Sequence, residues 1–220
     1  MKKIISGVVM FAFTLLAPQI VQAQGTITYV SSLSQNSTGN VLVGSDSWMA
    51  VDFFTGSNAG GYSLNSIQLG IADASGNPNG FTAMLYTATG GPAVVPGSSL
   101  GTLDGSLNPA VGGIFTYTPA SSLTLSPNTI FFIVLTAGTT IANGAYSWSE
   151  SAYPPSINNW GMGNGIIESG NGISGWSPTP YLGIAQIAIN ATPIPEPGVL
   201  GLVGLGGLAF LWHRKKARAV

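Results

Sequence analysis

The acidic residues are the first place to look for chemistry. Between Gln24 and Pro195 the chain has no Lys, Arg or His, and the whole sequence has no Cys. That stretch carries Asp46, Asp52, Asp73, Asp104, Glu150 and Glu168, six acids against no cation, for a formal charge of −6 where the whole chain is −1. Paired carboxylates are the one catalytic device left open, as in glycoside hydrolysis. Glu150 with Glu168 and Asp46 with Asp52 are the pairs on offer. Nothing in their spacing makes either pair converge, and they read as solvated surface acids. The only histidine, His213, lies in the tail. Ser-His-Asp catalysis, Cys-His catalysis and ordinary zinc sites are therefore excluded. Lysine-based Schiff-base and Ser-Lys chemistry is excluded as well. We expect no enzyme, no catalytic residue and no cofactor. A region without cations cannot neutralise phosphates, so nucleic acid is not an expected partner.

Two weaker patterns remain. Asp73, Ser75, Asn77 and Asn79 put oxygen ligands at alternate positions before Gly80, somewhat like a calcium loop. The closing bidentate Glu is missing and Pro78 disturbs the spacing. A plain turn explains the same Asn, Gly and Pro, so Asp73, Asn77 and Asn79 are only weak calcium candidates and no metal site is assigned. Trp160 and Trp176 lie in a Gly/Asn/Ser-rich stretch, 154–180, that reads as long loops. Aromatics on the loops of a β-sandwich can stack on sugars, which makes these two the candidate glycan-binding residues. Trp48 and Trp148 read as core.

The elements that must carry these residues are short strands. Thr26–Val30, Ser47–Thr55, Tyr62–Ile71, Phe81–Thr87, Ile114–Thr118, Leu123–Leu125, Ile130–Thr136, Ala145–Ser149 and Gly183–Ala191 alternate or run apolar between turn residues. In Tyr62–Ile71 the apolar parity switches near Asn65, which predicts a bulge or a second strand starting there. Ile130–Leu135 (IFFIVL) is continuously apolar and predicts a central strand buried on both faces. Ser126-Pro127-Asn128 is the turn leading into it. No capped 3.6-residue period occurs between 24 and 192. The expected fold is all-β, a jelly-roll-like β-sandwich of about eight or nine strands spanning 24–192.

Both ends have a different character. Met1-Lys2-Lys3, the apolar run Ile4–Leu16 and Val21-Gln22-Ala23 form a secretory signal peptide over 1–23. At the other end Pro195-Glu196-Pro197 breaks any strand. Gly198–Trp212 follows without a charge, and Arg214, Lys215, Lys216 and Arg218 end the chain as a basic stop-transfer cluster. The 15 apolar residues make a helix of roughly 22 Å at 1.5 Å per residue, a marginal span of a ~30 Å hydrocarbon core. Basic residues stay cytoplasmic, which faces the body outward.

The order Pro195-Glu196-Pro197, Gly198–Trp212, Arg214–Arg218 resembles the PEP-CTERM sorting signal of Gram-negative bacteria, a tail also labelled as the C-terminal domain of some ice-binding proteins. The resemblance implies Sec-type export, an inner-membrane precursor, recognition by an exosortase with cleavage near Pro-Glu-Pro, and a cell-surface or extracellular product associated with exopolysaccharide. Residues 45–150, with Trp48, Phe53-Phe54-Thr55-Gly56, Tyr62-Ser63-Leu64, Leu85-Tyr86, Ile130-Phe131, Tyr146 and Trp148, are similar to the choice-of-anchor R domain of bacterial surface proteins. That family implies fold and location but no catalytic residue. The expected function is a non-catalytic surface or matrix protein. The alternatives are a carbohydrate-binding module, less readily an ice-binding one because no repeated Thr-x-Thr ladder occurs, and a glycosidase.

Overall fold

The computed structural model describes residues 25–90, 94–152, 155–163, 165–179 and 183–196. The signal peptide over 1–23, Pro197, the apolar run 198–212 and the basic cluster at Arg214, Lys215, Lys216 and Arg218 lie outside them. No described helix is long and apolar enough to cross a membrane. Gln24–Ile194 forms one compact unit.

In chain order its strands are β1 (Ile27–Ser31), β2 (Ser37–Val43), β3 (Trp48–Phe54), β4 (Tyr62–Gly76), β5 (Thr82–Thr89), β6 (Val95–Asp104), β7 (Gly113–Pro119), β8 (Thr124–Leu125), β9 (Ile130–Thr136), β10 (Gly144–Ser151), β11 (Ser156–Ile157), β12 (Gly161–Met162), β13 (Ile167–Ser169), β14 (Ser177–Pro178), β15 (Ile184–Ala185) and β16 (Ile187–Pro193). One 3-10 turn, Ile141–Asn143, precedes β10. The fold is all-β, as the alternation predicts. One antiparallel sheet curls over upon itself, in the order β11-β1-β16-β4-β7-β6-β5-β9-β3-β13-β14. The join between its halves is short, Leu103 opposite Pro119 and Asp104 opposite Thr118. Both halves feed one core, with Val30, Ile67, Leu69, Trp148 and Ile189 from one and Phe53, Leu85, Ile133 and Leu135 from the other. A second, smaller cluster lies on the other face of the β3–β9–β5 half, around Ala50, Met84, Phe132 and Val134. That is why IFFIVL is apolar throughout. β9 lies between β3 and β5, and successive side chains serve the two clusters in turn.

β4 organises the other half. Its first part pairs with β8 and β16, its last with β10, and its middle with β7. The parity switch in its sequence is a bulge within one strand, not a second strand. Ala191 faces Leu64 and Asn190 faces Ser66, so Asn65 is the extra residue. The bulge turns Tyr62 and Leu64 inward together with Ile67, Leu69 and Ile71.

Where β15 leaves β10 and the chain moves to β4, Gln186 ties four segments together. Its N–H donates to the Ser149 carbonyl (2.8 Å), and its carbonyl accepts from Gly70 N–H (2.9 Å). The same carbonyl accepts from the buried Trp148 indole (3.1 Å). Its side-chain amide donates to the Gln35 carbonyl (2.6 Å). Ser32 completes the seam, its hydroxyl donating to the Ala185 carbonyl (2.9 Å) and accepting from Ile187 N–H (3.0 Å).

The segment carrying β12–β14 runs along β3, and its glycines let the outward side chains of β3 lean over it. At Gly172 a Cβ would lie 2.1 Å from the Trp48 ring, and φ is +68°. Gly165, in the same segment, has nothing within 4 Å of a Cβ. Gly172→Ala is therefore expected to lower stability by about 1 kcal/mol or more, combining left-handed backbone strain with a displaced indole. Gly165→Ala is expected to be close to neutral. Thermal unfolding of the two variants beside wild type checks this, and equal melting temperatures for the two would contradict it.

Candidate functional site

Two places combine exposed polar or aromatic groups with a defined geometry. The first is a cleft of about 780 Å³ beyond the ends of β3 and β9, lined by Phe54, Ser57, Asn58, Tyr62, Asn128, Ile130 and Asn159, among others. It is built from the end of β3 outward. The Thr55 hydroxyl donates to the Ser126 carbonyl (2.6 Å) and accepts from Thr129 N–H (3.0 Å), fixing the strand end to the turn before β9. Asn128 in that turn and Asn159 opposite it are the only non-glycine residues described with positive φ, +49° and +59°. Asparagine tolerates that conformation because its short amide bonds locally. Here it brings two exposed amides to one opening. Phe54 is 47% exposed. Its ring leans over Gly161, where a Cβ would come within 1.8 Å of it. The lining has an aromatic ring, amides and hydroxyls but no charge, so it suits a neutral, hydroxyl-bearing ligand better than an ionic one.

The aromatic candidates from the sequence are placed differently. Trp160 is a correction: it is core, 2% exposed. Tyr29 stacks on it at 4.4 Å and Phe53 at 5.7 Å, while Tyr62 meets it edge-on at 5.0 Å. No face is left for a sugar. Its indole N–H has no hydrogen-bond partner among the described residues, as befits a ring held by its apolar faces. Trp176 is half-buried and packs on the outer cluster around Phe132 and Val134. Trp148 is fully buried as expected, and Trp48 half-buried. Phe54, which the sequence reading treats only as a strand residue, is the exposed ring. Its parity with Trp48, Ala50 and Asp52 on β3 is the signal that points it outward.

The acids are dispersed. Asp46 accepts from Ile141 N–H (2.8 Å) at the start of the 3-10 turn. It precedes β3, whereas Asp52 lies inside that strand, about 13 Å of extended chain beyond Trp48. Glu150 lies on β10 opposite Gly39 and Ala185, whereas Glu168 lies on β13 opposite Met49. These strands belong to different halves of the curled sheet. Asp73 is on β4 and accepts from Gly112 N–H (2.7 Å). Asn77 and Asn79 follow beyond the strand, where Asn79 N–H donates to the Thr139 hydroxyl (3.3 Å). Among the described residues no three His, Cys, Asp or Glu side chains gather as a metal site.

Glu150 is the exceptional acid, 3% exposed, with one carboxyl oxygen lacking a hydrogen-bond partner among the described residues. Gly39 and Gly183 crowd its side chain. Burial pushes its pKa above the usual glutamate range, and burial raises that of Asp52 too, partly offset by a backbone hydrogen bond.

The second place is the junction where the β domain ends. Pro193 closes β16 opposite Tyr62, and Ile194 N–H donates to the Gly61 carbonyl (2.9 Å). Asn58 donates its side-chain amide to the Ile194 carbonyl (2.9 Å). Pro195 and Glu196 follow, exposed and outside any strand. Residues 193–215 match the family model of the PEP-CTERM protein-sorting motif, so the chain carries that motif. It implies an exported protein that reaches the surface through an inner-membrane precursor and is processed by an exosortase. No curated protein and no solved structure matches the chain.

Buried Glu150 and half-buried Asp52 make stability depend on pH in a definite direction. A carboxyl whose pKa is raised by folding binds more protons in the native state. Its contribution is full below its unfolded value, about 4.5 for Glu, and is lost as pH rises through the raised folded value. The domain is therefore expected to melt at a higher temperature near pH 4.5 than at pH 7. Glu150→Gln is expected to flatten that slope and raise the melting temperature at pH 7. A wild-type melting temperature that climbs from pH 4.5 to 7 would contradict this assignment.

Proposed function

We propose that the chain is the precursor of a non-catalytic cell-surface or matrix protein. Its β domain is carried outward by the signal peptide over 1–23, held at the inner membrane by 198–212 and the basic cluster, and sorted by an exosortase into an exopolysaccharide-rich exterior. The observation that carries this reading is the sorting motif at 193–215, beginning on the last strand of a domain without a cation. The scattered acids support a non-catalytic role, because Glu150 and Glu168 lie on strands of different halves of the sheet and Asp46 is held by Ile141 N–H outside the strand that carries Asp52, whereas two glycosidase carboxyls face each other across roughly 5–9.5 Å. Mass spectrometry of the native protein, combined with cell fractionation, tests it. The expected product lacks both ends, terminates near Pro195–Pro197 and is found outside the inner membrane. Replacing Pro195, Glu196 and Pro197 together with alanine is expected to leave full-length precursor in the membrane. Full-length wild-type protein confined to that membrane would reduce the tail to a plain anchor.

The cleft favours a second, compatible reading, in which the β domain binds a neutral carbohydrate. Phe54 supplies a stacking face, and Asn128, Asn159 and Ser57 supply donors and acceptors. On purified host polysaccharide, Phe54→Ala is expected to weaken binding by roughly threefold to tenfold with little change in melting temperature. Trp160→Ala is expected to act through the core instead, costing about 3–5 kcal/mol of stability. Wild-type protein that binds no host polysaccharide would leave the domain a structural role only.

A further inference from the structure

The sorting motif and the β domain overlap. The matched segment begins at Pro193, yet Pro193 is buried in the β4–β16 ladder and Ile194 is still hydrogen-bonded to it. Ile194 is followed directly by Pro195 of the Pro-Glu-Pro step. The tether is a turn made for the purpose. Gly61 N–H donates to the Asn58 carbonyl (2.8 Å), and Asn58 N–H donates to the Tyr62 hydroxyl (3.2 Å). The Asn58 side-chain amide donates both to the Gly61 carbonyl (2.5 Å) and to the Ile194 carbonyl (2.9 Å). Both acceptors are carbonyls, so only the NH2 end of the amide fits there. Gly61 must be glycine: its φ is +73°, and a Cβ would lie 2.6 Å from the Leu125 carbonyl.

Enzymes that act on peptides commonly take them as extended strands through main-chain hydrogen bonds. The same main-chain groups cannot serve β4 and an enzyme groove together. We propose that Asn58 is a positioning residue for sorting: it holds Pro193 and Ile194 on the domain, and the exosortase acts on the frayed end. The processing rate is then set by how often this end opens. Local opening of a terminal segment costs far less than global unfolding, so the domain stays folded while its tail is released. The inference rests on residues 193–215 being an exosortase substrate and is independent of any ligand in the cleft.

Pulse–chase of the full-length precursor in the native host, followed to the processed form, tests it. Asn58→Ala removes two hydrogen bonds and is expected to speed processing about tenfold, the equivalent of roughly 1.4 kcal/mol in the opening step. A flexible Gly/Ser linker inserted between Ile194 and Pro195, with Asn58 intact, is expected to give a similar gain at an unchanged melting temperature of the domain. Asn58→Ala added to the linker chain should then change nothing further. The linker variant separates release of the tail from general destabilisation, which Asn58→Ala alone does not. Processing of the linker chain at the wild-type rate would overturn the proposal. A wild-type precursor that is never processed would overturn the sorting reading and this inference with it, a result distinct from equal rates.

Discussion

The β domain, residues 25–194, carries six carboxylates and no Lys, Arg or His of its own. That single constraint shapes the rest of the molecule. Cohesion has to come from apolar burial and from neutral hydrogen bonds, whose net worth is about 1 kcal/mol each. The acids are handled in three ways: accepting backbone N–H groups, as Asp46 and Asp73 do; facing solvent; or being buried at a raised pKa, as Glu150 is. Amides and hydroxyls take the places that ion pairs occupy in other domains. Because exposed ion pairs are what salt screens, a fold built this way has little to lose as ionic strength changes. Such indifference suits a protein that works outside the cell.

The neutral network is concentrated where the chain changes partners. At Gln186 the last strands pass from β10 to β4, and that one residue accepts from Gly70 and Trp148 and donates to the Ser149 and Gln35 carbonyls. At Thr55 a single hydroxyl both donates to and accepts from the turn that leads into β9. At Asn58 one amide closes a turn and holds the exit of the chain. Each case is a strand end, where the ladder leaves backbone groups unpaired and a side chain must take over. The cleft and the sorting junction adjoin the same turn, with Asn58 and Tyr62 common to both. The site is thus a by-product of how this sheet terminates.

Much of the fold was legible in the residues, and what was missed has a physical reason. IFFIVL announced its two-sided burial, and the parity break in β4 announced the bulge at Asn65. β2 and β6 escaped notice because their residues are largely exposed, and because Gly39 and Asn40, or Pro96, Gly97 and Gly101, hide the alternation. Trp160 sits among Asn and Gly that look like an exposed loop, yet its stacking partner Tyr29 lies at the far end of the chain. No local pattern reports such a contact. The same applies to the cleft, whose lining comes from four separate stretches. The tail is the opposite case: its recognition depends on contiguous residues, so a linear reading was enough.

Two borders of the sheet, β11 and β14, are strands of only two residues, and β14 contains Pro178, whereas β2, of 7 residues, is a longer border that pairs with β10 alone. Soluble β proteins commonly blunt such borders with lysine, which is absent from this domain. Brevity and a missing N–H do that work at β11 and β14, while β2 keeps one side of its backbone without a partner strand, so any strand added from outside would meet the sheet there.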